Sequence, residues 1–413
     1  MCSSKGSVDS RVFDDCAEAG GQAKSSDCSV GGSADSSVCA AYNCVVVLGP
    51  TAVGKTALAV RIADKLGGEI ISADSRQVYR GLDIGSGKDI CEYTLHNPER
   101  TIPYHLIDVV SLPDEYSVFN YQKGFYSVFP EILSRGKLPV VCGGTGMYLD
   151  AIVRGYSFID VPCNAKLRTS LVGKTDAELA EILIKLKGNK LHNTTDLLEH
   201  HRLLRAIEIE TFMQEHGKVS GVAASDVGTS VADADTEVAA DSETAVASAK
   251  ESNSAEMSDA LDFEATSASV PARPDIRPFI IGTTFPRDML RAGINRRMTS
   301  RFKDGMIAEV ERIHNDGIEW ERLERLGLEY KLIAWYLQGK IPTEEKLYEK
   351  LRISIGQFAK RQETWFRRME KTGVKINWLP CSGSDYDVSI EGRFEMSMEM
   401  LRAAGFGGTT SLA

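Results

Sequence analysis

Cys44-Val45-Val46-Val47-Leu48-Gly49-Pro50-Thr51-Ala52-Val53-Gly54-Lys55-Thr56 decides the fold. Its five leading apolar residues have the length of one buried strand, and the pattern GxxxxGK[ST] follows directly. Residues 55–66 then place Ala57, Leu58, Val60, Ile62, Ala63 and Leu66 on the apolar face of a predicted helix. A strand, a glycine-rich turn and a helix are the setting in which this pattern binds phosphate. The backbone of Gly49, Pro50, Thr51, Ala52, Val53, Gly54, Lys55 and Thr56 closes around phosphate oxygens at a helix N-terminus. Lys55 adds a point charge, and the Thr56 hydroxyl is placed to hold Mg2+. The loop leaves open whether the phosphate belongs to a nucleotide or to another diphosphate.

Outward from this stretch, residues 69–72, 105–110 and 139–142 read as further strands and 120–134 as a helix. Strands alternating with helices imply a P-loop NTPase-like α/β core, a parallel sheet flanked by helices. Residues 160–215 turn helical, with periodic segments at Ala177 to Leu186 and Leu197 to Met213. Strand 279–284 returns to the sheet, and 286–370 is a run of helices. The expected organisation is a core over 43–159 and 276–380 with its C-terminal helices, and a helical insertion domain over 160–216. A disordered acidic insertion over 217–275 and tails over 1–42 and 381–413 complete it.

Composition narrows the function classes. At 413 residues, 43% apolar and 26% charged, the chain is globular and holds two or three units. No run approaches the ~18 consecutive apolar residues of a membrane span. Nine cysteines show no CxxC pair and no zinc spacing, so reduced thiols and a cytoplasmic location are expected. The net charge of −10 is misleading, because residues 219–270 hold 11 Asp and Glu against one Lys. Residues 277–371 carry 20 basic and 14 acidic groups, which leaves a basic surface available to a polyanion.

Asp74 follows the second strand, within Ser72-Ala73-Asp74-Ser75-Arg76-Gln77. It therefore reaches the sheet edge where ligands of open α/β folds lie. A carboxylate there can hold Mg2+, position a ribose, act as a general base, or simply cap a helix.

At this point the sequence resembles the tRNA dimethylallyltransferases, also called tRNA isopentenyltransferases. The matching stretches are GPTAVGKT (49–56), ISADSRQVYRGLDIGSGK (71–88), YHLIDV (104–109), VVCGGTGMYLDAIVRG (140–155), HRLLRAIEI (201–209), RFKDGMIAEV (301–310) and FAKRQETWFRR (358–368). The resemblance implies a monomeric enzyme that moves a dimethylallyl group from dimethylallyl diphosphate to the adenosine 3′ of the tRNA anticodon. By the same resemblance Asp74 is the base, Thr145 contacts the acceptor, and Mg2+ at Thr56 with Arg297 stabilises the leaving group. Arg296 adjoins Arg297 and leaves that choice open by one position. The stretches that touch tRNA in the family map onto Asp74, Ser75, Arg76, Gln77, Thr145, His201, Arg202, Arg205, Lys360, Arg361, Gln362, Trp365 and Arg367.

Two positions depart from the common family pattern. Gly293 stands where many members carry Arg, which removes one possible phosphate contact. Glu329-Tyr330-Lys331 replaces Gly-Tyr-Arg and puts an acid near the expected RNA surface. Three other readings use the same residues. A P-loop kinase or ATPase would take Asp108 for Mg2+, an adenylate prenyltransferase would take free AMP, ADP or ATP, and a tRNA-binding protein would lack catalysis. Intact Lys55, Thr56, Asp74 and Thr145 argue against the last.

Overall fold

The computed structural model describes residues 41–96, 99–156, 158, 161–187, 200–215, 271–381, 384 and 389–407. The expected N-terminal tail and acidic insertion fall almost wholly outside the described residues. The sheet is built from β1 (Cys44–Leu48), β2 (Gly68–Ala73), β5 (Tyr104–His105), β6 (Leu138–Gly143), β7 (Pro278–Gly282) and β8 (Asn377–Trp378). All pairs are parallel and the order is β5-β2-β6-β1-β7-β8. β3 (Thr94–His96) and β4 (Glu99–Thr101) form a separate antiparallel pair.

Side-chain alternation explains the three layers. Val45 and Val47 join Leu58, Ala59 and Ile62 of α1 (Lys55–Leu66) on one face. Val46 and Leu48 join Tyr121, Phe125 and Phe129 of α2 (Val118–Ser134) on the other. A parallel strand covered on both sides must be apolar throughout, which is why β1 is a continuous Val and Leu run. α3 (Gly146–Arg154) packs on the α2 face. α4 (Ala165–Leu171), α5 (Asp176–Lys187) and α6 (His200–Glu215) enclose a small core of their own around Leu179, Leu183 and Leu203.

After β7 come α7 (Arg287–Lys303), α8 (Met306–Asn315), α9 (Trp320–Arg325), α10 (Leu328–Leu337) and α11 (Glu344–Lys371). Their shared core takes in Val53, Val78, Tyr79 and Leu82 from the loops above the sheet. This bundle carries Glu309 of α8 across to the loop after β2. Its carboxylate accepts from the backbone N–H groups of Asp83 (2.9 Å), Ile84 (2.7 Å) and Gly85 (3.0 Å), and from the Tyr330 hydroxyl (3.0 Å). Lys88, 2% exposed, ties the same loop down by donating to Tyr79 O, Asp83 and Asp108.

Two expectations are corrected. The strand expected over 105–110 ends at His105, because Leu106 and Asp108 adopt positive φ (60° and 55°) and turn the Asp108 carboxylate onto Lys88. The expected C-terminal tail contains α12 (Ile390–Ala403), whose Met398 and Leu401 pack on the α1 face. Ser389 caps it, accepting from Gly392 N at 2.9 Å. No helix among the described residues is long and apolar enough to cross a membrane.

Glu309→Ala strands three backbone donors and a tyrosine hydroxyl, and is expected to lower the unfolding free energy by about 3 kcal/mol. Urea titration checks this, and a loss under about 1 kcal/mol would show that water substitutes for the carboxylate.

Candidate functional site

The C-terminal ends of β1, β2 and β6 lie side by side, so the loops leaving them meet at one edge. The loop after β1 has the geometry of a phosphate cradle. Gly49 lies against the Thr283 carbonyl so closely that a Cβ would overlap it, and Gly54 needs φ +69°. Ala52 holds a left-handed conformation at φ 63°, a strain that a non-glycine residue accepts only where its surroundings impose it. Gly54 caps α1 without any side-chain bond, so the first-turn N–H groups stay available to an anion.

Lys55 donates to Pro50 O at 2.7 Å, folded back on its own loop. Desolvation pushes its pKa down to about 8, and Arg297 lowers it further, while the nearby Cys142, Asp74 and Glu92 groups oppose the shift. Thr56 adjoins the buried Cys142 thiol, which burial pushes up to about 12. Among the described residues no group of three or more His, Cys, Asp or Glu side chains could hold a metal ion. A hydroxyl with few other protein ligands suits Mg2+, which keeps its waters and binds mainly through substrate phosphates.

Asp74 and Thr145 come from the adjacent loops and are knitted together. Asp74 Oδ1 accepts from Arg76 N (2.9 Å) and Gln77 N (3.4 Å). Thr145 Oγ1 accepts from Ser75 N at 3.0 Å and lies 3.4 Å from Ser75 Oγ. Although Thr145 precedes α3, its hydroxyl does not cap that helix. It reaches across to the Asp74 loop.

Arg297, not Arg296, faces the cradle. Its Nη1 lies 3.4 Å from Thr51 Oγ1 and its Nη2 donates to Gly87 O at 3.2 Å, whereas Arg296 is exposed. Gly293 sits directly over the loop, where a Cβ would be 3.1 Å from Ala52 O. Glu329 turns inward. It pairs with Arg301 at 3.4 Å and lines a cavity beside the loop with Thr51, Ala52 and Arg297. Asp108, which a kinase reading needs for its metal, is 2.5 Å from Lys88 Nζ.

The residues expected on the RNA side divide into two sets. Gln362, 6% exposed, uses both ends of its amide inside the protein: Oε1 accepts from Thr51 N (2.8 Å) and Nε2 donates to Gly144 O (2.9 Å). Gln77 likewise bonds Ser72 (3.0 Å) and Gly87 O (3.2 Å). Arg205 pairs with Glu208 (3.1 Å) and donates to Val161 O (2.7 Å) within the insertion, where half-buried His201 and Arg202 also lie. Trp365 is half-buried against Gly146. Lys360 and Arg367 project outward from α11, and Arg361 lies 5.9 Å from the Phe358 ring. Ser75 and Arg76 stay half-buried beside Asp74.

Arg393 was not anticipated. It is 5% exposed, and from α12 its Nη1 donates to Val53 O and to Thr283 Oγ1 (3.3 Å), with Phe285 under the guanidinium at 4.9 Å. It holds the cradle from behind. The amphipathic spacing of Ile390, Phe394, Met398 and Leu401 after Ser389 is the sequence signal for the helix that carries it.

The family model described as IPP transferase matches residues 77–369, and one described as isopentenyl transferase matches residues 42–101. A protein of Treponema denticola named tRNA dimethylallyltransferase 2 is 47% identical over 338 residues, covering 82% of this chain and 96% of its own. One from Syntrophus aciditrophicus, named tRNA dimethylallyltransferase 1, is 44% identical over 84% of this chain and 96% of its own. The crystal structure of the full-length tRNA isopentenylpyrophosphate transferase from Bacillus halodurans superposes with TM-score 0.53 at 25% identity, covering 88% of this chain and 97% of that one. A eukaryotic dimethylallyltransferase structure shares the fold at TM-score 0.57 and 18% identity, over 89% of this chain and 81% of that one.

Because Lys55 is charged only below about pH 8 in the free protein, an anion that requires the ammonium must bring a proton with it above that pH. The Lys55-dependent part of inorganic diphosphate affinity, taken as wild type against Lys55→Met, should fall above pH 8 by up to about tenfold per unit. Calorimetry over pH 7–10 reads it, and a flat difference would remove the role of Lys55 charge. Arg393→Ala should cost about 2 kcal/mol of stability and weaken diphosphate binding. Glu391→Gln, which breaks only the exposed pair with Arg61, should leave that affinity unchanged.

Proposed function

Because the chain belongs to the IPP transferase family, we propose that it transfers the dimethylallyl group of dimethylallyl diphosphate to the N6 amine of adenosine 37, 3′-adjacent to the anticodon, in tRNA. The observation that carries the reading is the meeting of a phosphate cradle with a carboxylate and a hydroxyl on neighbouring strand ends. In the transfer, the N6 lone pair attacks C1 of the dimethylallyl group as the C1–O bond breaks. The bonding electrons leave with the diphosphate, and the N6 proton goes to Asp74.

An exocyclic adenine amine is a weak nucleophile, so a base at the forming bond lowers the barrier. Asp74 is held for that task by two backbone N–H groups through one oxygen. Thr145 positions the acceptor beside it. The cradle, Lys55 and Arg297 receive the charge that develops on the leaving diphosphate. Mg2+, held by Thr56 and the diphosphate, supplies further positive charge to that leaving group when bound. Lys360, Arg361, Arg367 and the neighbouring Trp365 offer cationic and aromatic contacts suited to an anticodon loop with an extruded base. A free adenine nucleotide is the alternative acceptor that the same cradle, carboxylate and hydroxyl would serve. The basic C-terminal helices favour the larger polyanion.

Asp74→Asn should reduce transfer by at least about 100-fold while tRNA affinity stays within about threefold. Digestion of the product and mass analysis of nucleosides, with tRNA and AMP or ATP offered in parallel, reads both activity and acceptor. Transfer within tenfold of wild type would exclude Asp74 as the base, and prenylated AMP in place of tRNA would move the enzyme to the free-nucleotide class.

A further inference from the structure

Arg297 and Arg301 are one turn apart on α7, and both bring a guanidinium to the same point. A Cβ on Gly87 would overlap Nη2 of each. Two like charges meeting in a half-buried place repel, and their nearest carboxylates compensate poorly. Glu329 Oε1 is 3.4 Å from Arg301 Nη1, and Asp89 Oδ2 is 3.6 Å from Arg297 Nη2.

Arg301 is 9% exposed. Nη1 donates to Gly85 O at 3.1 Å and faces Glu329, while Nε and Nη2 are buried without any hydrogen-bond acceptor. Those two N–H groups share one edge of the guanidinium, the edge that takes two oxygens of a phosphate or carboxylate side-on. Leaving both unmet is costly unless a ligand completes them. Burial, and then the charge of Arg297, push the Arg301 pKa down to about 10. The side chain also lines a small cavity with Thr51, Ala52 and Glu329, against the phosphate loop.

We propose that Arg301 is a second diphosphate-binding arginine, whose Nε and Nη2 take the terminal phosphate of the donor while Glu329 holds the guanidinium in place until the anion arrives. The proposal rests on the reading of the substrate as a prenyl diphosphate. It assigns Glu329 a task in the donor pocket, as the counter-ion that keeps Arg301 beside Arg297.

The test is calorimetry of the full-length protein with inorganic diphosphate, with inorganic phosphate as the one-phosphate control, beside donor KM and kcat. Arg301→Gln should raise the diphosphate Kd about 10- to 100-fold and the donor KM in parallel, with the tRNA KM little changed. The phosphate Kd should move much less, and Arg301→Lys should recover only part of the loss because an ammonium cannot form the fork. Glu329→Gln should tighten diphosphate by removing a competing negative charge. A folded Arg301→Gln protein whose diphosphate Kd stays within twofold of wild type overturns the proposal, and so does a Glu329→Gln protein that weakens binding as Arg301→Gln does. If Arg301→Gln does not fold, Glu329→Gln decides alone, and unchanged or weaker binding overturns the proposal. Wild type that binds diphosphate through Arg301 yet transfers no prenyl group would refute the transferase reading and leave the subsite standing.

Discussion

A phosphate cradle must keep its N–H groups unpaired for the ligand, so it cannot be held by the hydrogen bonds that stabilise ordinary loops. The rest of this structure answers that constraint. Thr51 N is taken by Gln362 and Val53 O by Arg393, and Gly49 is pressed against the end of β7. Each tie uses a group that points away from the anion. The left-handed Ala52 conformation, which costs about 1–3 kcal/mol on its own, persists because these ties fix both of its neighbours. Rigidity comes from α11 and α12, elements far along the chain, and the loop stays open at its face.

The same reasoning governs charge. Lys55 and Arg301 each lie near half-buried Arg297, and burial, with the charge of Arg297, lowers the pKa of both. Glu92 shifts the other way: burial and Asp89 raise it, against the pull of Arg297 and Lys55. Cations held this close to one another favour a ligand of high negative charge density. A diphosphate leaving group gains most at the moment its charge develops, which is how a binding pocket becomes a catalytic one.

How much of this was legible in the sequence depended on the range of the interaction that decides each element. β1, β2, β6 and β7 are short apolar runs buried on both faces, and local pattern suffices for them. The loop after β1 was legible because its chemistry lies in eight consecutive residues. The strand expected after Tyr104 was cut short by a bond between Asp108 and Lys88, twenty positions apart, which no local pattern reports. Arg393 reaches a loop 340 residues away, and Glu329 meets Arg301 only because α7 and α10 pack together. For Gln77, Gln362 and Arg205, residue type alone does not separate a side chain open to a ligand from one bonded inside the protein.

Gln362 shows why the distinction matters. The buried stripe of α11 runs Leu347, Leu351, Ile355, Ala359, Gln362, Phe366 and Met369, apolar at every place but one. That place lies where the phosphate loop and the Gly144 loop meet, and there the protein must satisfy an N–H on one side and a carbonyl on the other. A leucine would leave both unmet and a carboxylate would repel the carbonyl, whereas the amide supplies the donor and the acceptor together. The neighbours Lys360 and Arg367 face outward on the same helix. One helix thus ties the phosphate loop to the Gly144 loop on its inner face and carries Lys360 and Arg367 on its outer face, so a single rigid element fixes the spacing of the two loops.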